Sequence, residues 1–105
     1  MIISTTPTLE GRPIKKYLGV VSSETIFGTN AIRDFMAQLR DFFGGRSASY
    51  EEVLLQAKQE ALRELEERAA RLGANAVVGV DLSYETVGAN GSMLMVVATG
   101  TAVVI

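Results

Sequence analysis

Cysteine and histidine are both absent from this 105-residue chain, and proline occurs only twice. Without cysteine there is no disulfide framework, no thiolate nucleophile and no thiolate metal site. Without histidine the usual general base and the commonest metal ligand are missing as well. Charge of either sign is also in short supply. Ten Lys and Arg stand against twelve Asp and Glu, for a net charge of −2. That leaves neither a basic field for phosphate backbones nor an acidic tail, so nucleic acid is not an expected partner. Lys15 and Lys16 are too few to make such a patch. The longest apolar run, Met93 to Ala98, is far short of the roughly 20 residues of a membrane span, so no membrane association is expected. Met1-Ile2-Ile3 leads straight into Ser4-Thr5-Thr6-Pro7 with no basic segment of a secretory leader, and the expected address is cytoplasmic.

What is present is apolar. Hydrophobic residues reach 48% and mean hydropathy is +0.22. The length fits a single domain spanning 1–105, which still exposes about a third of its unfolded-chain surface. Some of this apolar content therefore faces outward, and exposed apolar patches mark partners.

Met1–Ser4 reads as a short strand, followed by turns at Pro7, Gly11 and Pro13. Ile14–Phe27 is rich in β-branched and aromatic residues and reads as a strand with apolar side chains on both faces: Leu18, Val20 and Ser22 on one, Tyr17, Gly19 and Val21 on the other. Asn30 is a good N-cap for a helix to Phe43, with Ile32, Phe35, Met36, Leu39, Phe42 and Phe43 at three- and four-residue spacing and Gly44-Gly45 as its stop. A second helix starts at a Ser49/Glu52 capping box and ends at Gly73, with Leu54, Ala61, Leu62, Leu65, Ala69 and Leu72 as its buried stripe. Glu64–Arg68 and Glu67–Arg71 are supporting i, i+4 pairs. Ala76–Val87 alternates, with Ala76, Val78, Val80, Leu82 and Tyr84 on one face and Gly79, Asp81, Ser83 and Glu85 on the other. Asn90-Gly91 is hairpin turn chemistry. The last strand, Ser92–Ile105, is apolar on both faces, and Gly100 is read as a bulge or bend.

These elements describe an α+β subunit: an antiparallel sheet with two helices covering one face. Nothing remains to cover the other face, although the final strand is apolar on both. A long two-faced strand at an edge invites uncontrolled pairing, and a closed ring of identical subunits hides both face and edge. A twisted sheet curling over its own hairpin is the alternative.

Three groups of residues are candidate sites. Asp81 and Glu85, with Ser83 between them, share a strand face and offer oxygen ligands to a hard cation; a solvated strand face predicts the same alternation. Gly44, Gly45, Arg46, Ser47 and Tyr50 lie at a helix restart where backbone N–H groups and a guanidinium would receive a small anion; a plain helix stop and restart is the simpler account. Arg33 and Asp34 open the first helix, either as ligand or inter-subunit contacts or as solvated charges. Met93 and Met95 are read as core or interface filler.

Ser4-Thr5-Thr6-Pro7-Thr8, Arg33-Asp34-Phe35, Gly44-Gly45-Arg46-Ser47, Tyr50-Glu51, Gly73 through Gly79, Tyr84 through Gly88, Asn90 through Met93 and Thr99 through Val103 together make the chain similar to the YbjQ-like family, over nearly its whole length. The resemblance implies a dodecin-like two-layer β-α-β-β subunit assembled as a homopentamer, with no established reaction. It also carries a heavy-metal-binding label, yet soft metals prefer thiolates and imidazoles, and relatives that bind a soft element through cysteine have no counterpart residue here. The expected function is a non-enzymatic oligomeric binding or scaffold protein without a cofactor, its ligand a small anion or metal ion at subunit interfaces or a central channel. The alternatives are a carboxylate metal-binding module and an enzyme whose only acid–base groups are carboxylates.

Overall fold

The computed structural model describes residues 1–28, 50–88 and 91–105. Four strands and one helix lie among them: β1 (Ile2–Ile3), β2 (Lys16–Phe27), α1 (Tyr50–Arg71), β3 (Ala76–Val87) and β4 (Met93–Val104). The helix expected from Asn30 to Phe43, its Gly44-Gly45 stop and the Ser49 cap lie outside the described residues.

The strands form one open sheet in the order β1-β3-β4-β2. β4 runs antiparallel to both β3 and β2, whereas β1 pairs parallel to β3 through Ile2↔Ala76 and Ile3↔Val77. The sheet is therefore mixed, not antiparallel as expected. The cause is local: β1 and the turn after it dock on the start of β3. Ser4 N–H donates to Val77 O at 2.9 Å, Gly79 N–H to Thr6 O at 2.8 Å and Val80 N–H to Ser4 O at 3.0 Å.

The α1 stop at Gly73 is as expected. Gly73 takes φ +91°, Ala74 N–H returns to Ala69 O at 3.1 Å and Gly73 N–H to Ala70 O at 3.0 Å, which satisfies carbonyls left open at the helix end. Glu51 and Glu52 in the first turn and Arg68 and Arg71 in the last complement the helix dipole. The buried row of α1 is Val53, Ala57, Ala61, Leu65 and Ala69, at strict four-residue spacing. Leu54 and Leu62 flank it half-buried, while Leu72, placed in the stripe by its period, lies past the helix end and is half exposed. Three alanines in the row let the helix backbone settle close to β2 and β4.

Beneath α1 the core is Val21, Val77, Val80, Leu94, Val96, Ala98 and Ala102. A smaller cluster on the opposite face joins Ala76, Val78 and Val103 to Leu9, Ile14 and Ile105, so the N-terminal segment covers that end of the second face.

Two bulges depart from simple alternation. The β3–β4 register shifts between Val78 and Asp81, where Gly79 and Val80 oppose Gly100 alone and Gly79 takes φ +61°. The extra residue thus belongs to β3, not to Gly100. It places Val77 and Val80 toward the helix and Ala76 and Val78 on the opposite face, splitting the set expected to share one side. In β2 a shift between Tyr17 and Gly19 likewise separates Leu18, which packs toward α1, from Val20, which is 80% exposed.

Candidate functional site

Because Leu94, Val96 and Ala98 face α1, the intervening residues of β4 form the spine of the outer sheet face. Cross-strand register sets the rows on that face. Met95 stands between Ile26 and Glu85, Val97 between Glu24 and Ser83, and Thr99 between Ser22 and Asp81. An apolar spine of Met93, Met95 and Val97 is thus flanked by carboxylates from both neighbouring strands. Ile26 and Val20 on β2 are exposed beside it, and Tyr17 is exposed near the start of the same strand.

Asp81, Ser83 and Glu85 are exposed on this outer face, as the alternation predicted. Asp81 and Glu85 stand four steps apart along β3, roughly 13 Å at the rise of an extended chain, so the two cannot ligate one ion within a single subunit. Among the described residues no three of Asp, Glu, His or Cys gather closely enough to hold a metal. A soft heavy metal fits this chain poorly, since neither thiolate nor imidazole is present.

Tyr50 is the first residue of α1. Arg33, Asp34, Gly44, Gly45, Arg46 and Ser47 lie outside the described residues.

On the helix face, the exposed side of α1 carries an ion-pair ladder. Arg63 bonds Glu67 at 2.7 Å and Glu60 at 3.0 Å, and Arg68 bonds Glu64 at 2.8 Å. Glu64–Arg68 matches the expected pair, whereas Glu67 turns back to Arg63 rather than forward to Arg71. The Arg63 pKa is raised above its ordinary value, first by the hydrogen bond and charge of Glu60 and then by the charge of Glu67. Arg68 also reaches over the sheet edge, donating to Ser22 O at 2.5 Å with Glu24 at 3.8 Å.

Two concave features flank these surfaces. One is an open apolar groove of about 330 Å³ between α1 and β3, lined by Glu51, Leu54, Leu55, Lys58 and Tyr84. The other is a cleft of about 600 Å³ at the N-terminal segment, whose lining includes Arg12 and Lys15. Neither was expected from the sequence, because each is assembled from elements far apart in the chain. No helix among the described residues is long and apolar enough to cross a membrane.

A solved structure of a protein of unknown function from Pediococcus pentosaceus ATCC 25745 superimposes with a TM-score of 0.57 and 23% sequence identity, over 100% of this chain and 97% of that one. The likeness establishes a shared small α+β fold. A family model described as "Putative heavy-metal-binding" matches residues 1–105. With the match running from the first residue to the last, and the fold agreeing, this chain belongs to the YbjQ-like family.

Proposed function

We propose that the chain acts as a non-enzymatic, homo-oligomeric binding or scaffold protein, closed into a ring whose interfaces or channel hold its ligand. One observation carries the reading. β2 is a twelve-residue edge strand with no strand beyond it among the described residues, and its Tyr17, Val20 and Ile26 are 66, 80 and 56% exposed. An edge this long, with apolar side chains, is a template for pairing unless a second chain covers it. The flat subunit shape supports the same reading. The radius of gyration is 16.2 Å, where a compact domain of this length has about 13 Å. A ring of five is the number that the family resemblance implies. Sedimentation velocity over a dilution series tests the assembly: a single oligomeric boundary persisting through dilution supports it, and a monomeric boundary throughout overturns it.

A second reading rests on the shared exposed face of Asp81 and Glu85. Copies of either carboxylate brought together about a ring axis would repel one another and recruit a hard cation such as magnesium or calcium. Calorimetric titration of the intact oligomer then gives saturable uptake that Asp81→Asn or Glu85→Gln abolishes. No uptake at millimolar cation excludes this reading.

A further inference from the structure

The N-terminal cleft has a chemistry of its own. Its walls are Met1 and Ile2 at the start of β1, the Gly11–Lys15 turn, and Asn75 and Ile105, which stand just before β3 and just after β4. Each wall is tied down by main-chain bonds. Arg12 N–H donates to Leu9 O at 3.1 Å, Lys15 N–H to Val104 O at 2.7 Å, and Asn75 N–H to Val103 O at 3.1 Å. The Asn75 side chain is fully engaged with Ile105, its amide donating to Ile105 O at 3.0 Å and its oxygen accepting from Ile105 N–H at 2.8 Å. The cleft is thus held open by the fold, and Gly11, at φ +76°, permits the tight turn that sets Arg12 on its rim.

Two cations line this cleft, and no carboxylate among the described residues lies within 4.0 Å of either. The nearby Met1 ammonium is 3.6 Å from Glu66, and Glu10 precedes the turn without lining the cleft. Arg63 and Arg68 are paired on the helix, whereas Arg12 and Lys15 converge unpaired on one concave surface. Met1, Ile2, Pro13 and Ile105 add apolar surface beside the two charges. A volume of about 600 Å³ falls within the range of small-molecule sites.

We propose that this cleft binds a small organic phosphate or carboxylate, one per subunit. Arg12 and Lys15 hold the anionic group, and Met1, Ile2, Pro13 and Ile105 pack its apolar body. The proposal goes beyond the oligomer reading, because it places a ligand within one subunit and not at an interface or channel. It does not depend on the ring, because every lining residue belongs to one chain.

Isothermal titration calorimetry with phenyl phosphate, phthalate and inorganic phosphate tests it on the purified full chain, with the oligomeric state of each variant measured in parallel. The expected result is one site per chain for phenyl phosphate, phthalate or both, and weaker binding of inorganic phosphate, which lacks the apolar body. The stronger of the two organic probes identifies the anionic group. An Arg12→Gln/Lys15→Gln double variant loses at least tenfold in affinity, about 1.4 kcal/mol, while Lys58→Gln on α1 binds as the parent does. Arg12 and Lys15 are exposed and Lys58 is half-buried, and both variants are expected to keep the parent circular dichroism spectrum. Absence of heat with both organic probes up to about 10 mM overturns the proposal, since that corresponds to less than about 3 kcal/mol of binding. Equal affinity in parent and double variant also overturns it. A parent chain that binds one probe per chain but runs as a monomer sinks the ring alone.

Discussion

The Ser23 hydroxyl donates to the Ala61 carbonyl oxygen at 2.6 Å, and both residues are fully buried. This bond pins the middle of α1 to the edge strand β2, where the alanine row brings the helix backbone within reach of a short side chain. It explains a polar residue in the core: no buried side-chain nitrogen or oxygen among the described residues lacks a partner. Ser23→Ala removes one neutral hydrogen bond, while the Ala61 carbonyl keeps its place in the helical ladder. A loss of about 1 kcal/mol is expected, read from the urea midpoint at fixed protein concentration.

Gly100 is required for space. A Cβ there would meet Val77 Cγ1 at 2.7 Å, Val80 Cγ2 at 3.1 Å and Val78 O at 3.3 Å. Gly100→Ala is expected to destabilise by about 1–3 kcal/mol through overpacking. Adding Val77→Ala removes the closest obstacle, so the double variant is expected to be more stable than the sum of the two singles, as a double-mutant cycle by denaturation would show.

Gly79 is required for conformation instead. No atom lies within 4 Å of a Cβ built there, so strain at φ +61° acts without a clash. Gly79→Val is expected to cost about 1–2 kcal/mol, and Gly79→Asn less, because asparagine tolerates the left-handed region. Thermal melts of the two variants check the order. Equal costs would contradict it.

The sequence carried the elements further than it carried their faces. The Gly73 stop, the Glu64–Arg68 pair and the alternation of β4 were legible because each depends on residues within a few positions. The split of Ala76 and Val78 from Val80 was not, because it depends on which strand takes the extra residue opposite Gly100. Parallel pairing of β1 was hidden for a similar reason: Ile2–Ile3 is too short to declare a partner, and its docking is fixed by Ser4 and Thr6 bonding β3. Of the candidate site residues, the outward face of Asp81 and Glu85 followed from period two. The cleft around Arg12 and Lys15 joins residues some ninety positions apart, as Gly11 and Ile105 show, and no local pattern announces it.

Val20 and Ile26 provide the test of the edge that separates assembly from folding. Both are exposed in the subunit, so Val20→Lys/Ile26→Lys changes subunit stability little, within about 0.5 kcal/mol per site. Charges on both positions would nonetheless oppose docking of a second chain along β2. Light scattering after gel filtration is expected to show the double variant shifted toward monomer, with its circular dichroism unchanged. A variant that keeps the parent mass would show that β2 is not the assembling edge.

Native mass spectrometry of protein purified without added ligand addresses assembly itself most directly. Closure into a ring of five predicts a dominant species of five times 11.3 kDa, about 57 kDa, together with any small molecule the subunits retain. A single stable species at 11.3 kDa would mean that one subunit tolerates its open strand and outward apolar side chains in water, contradicting the account at its base.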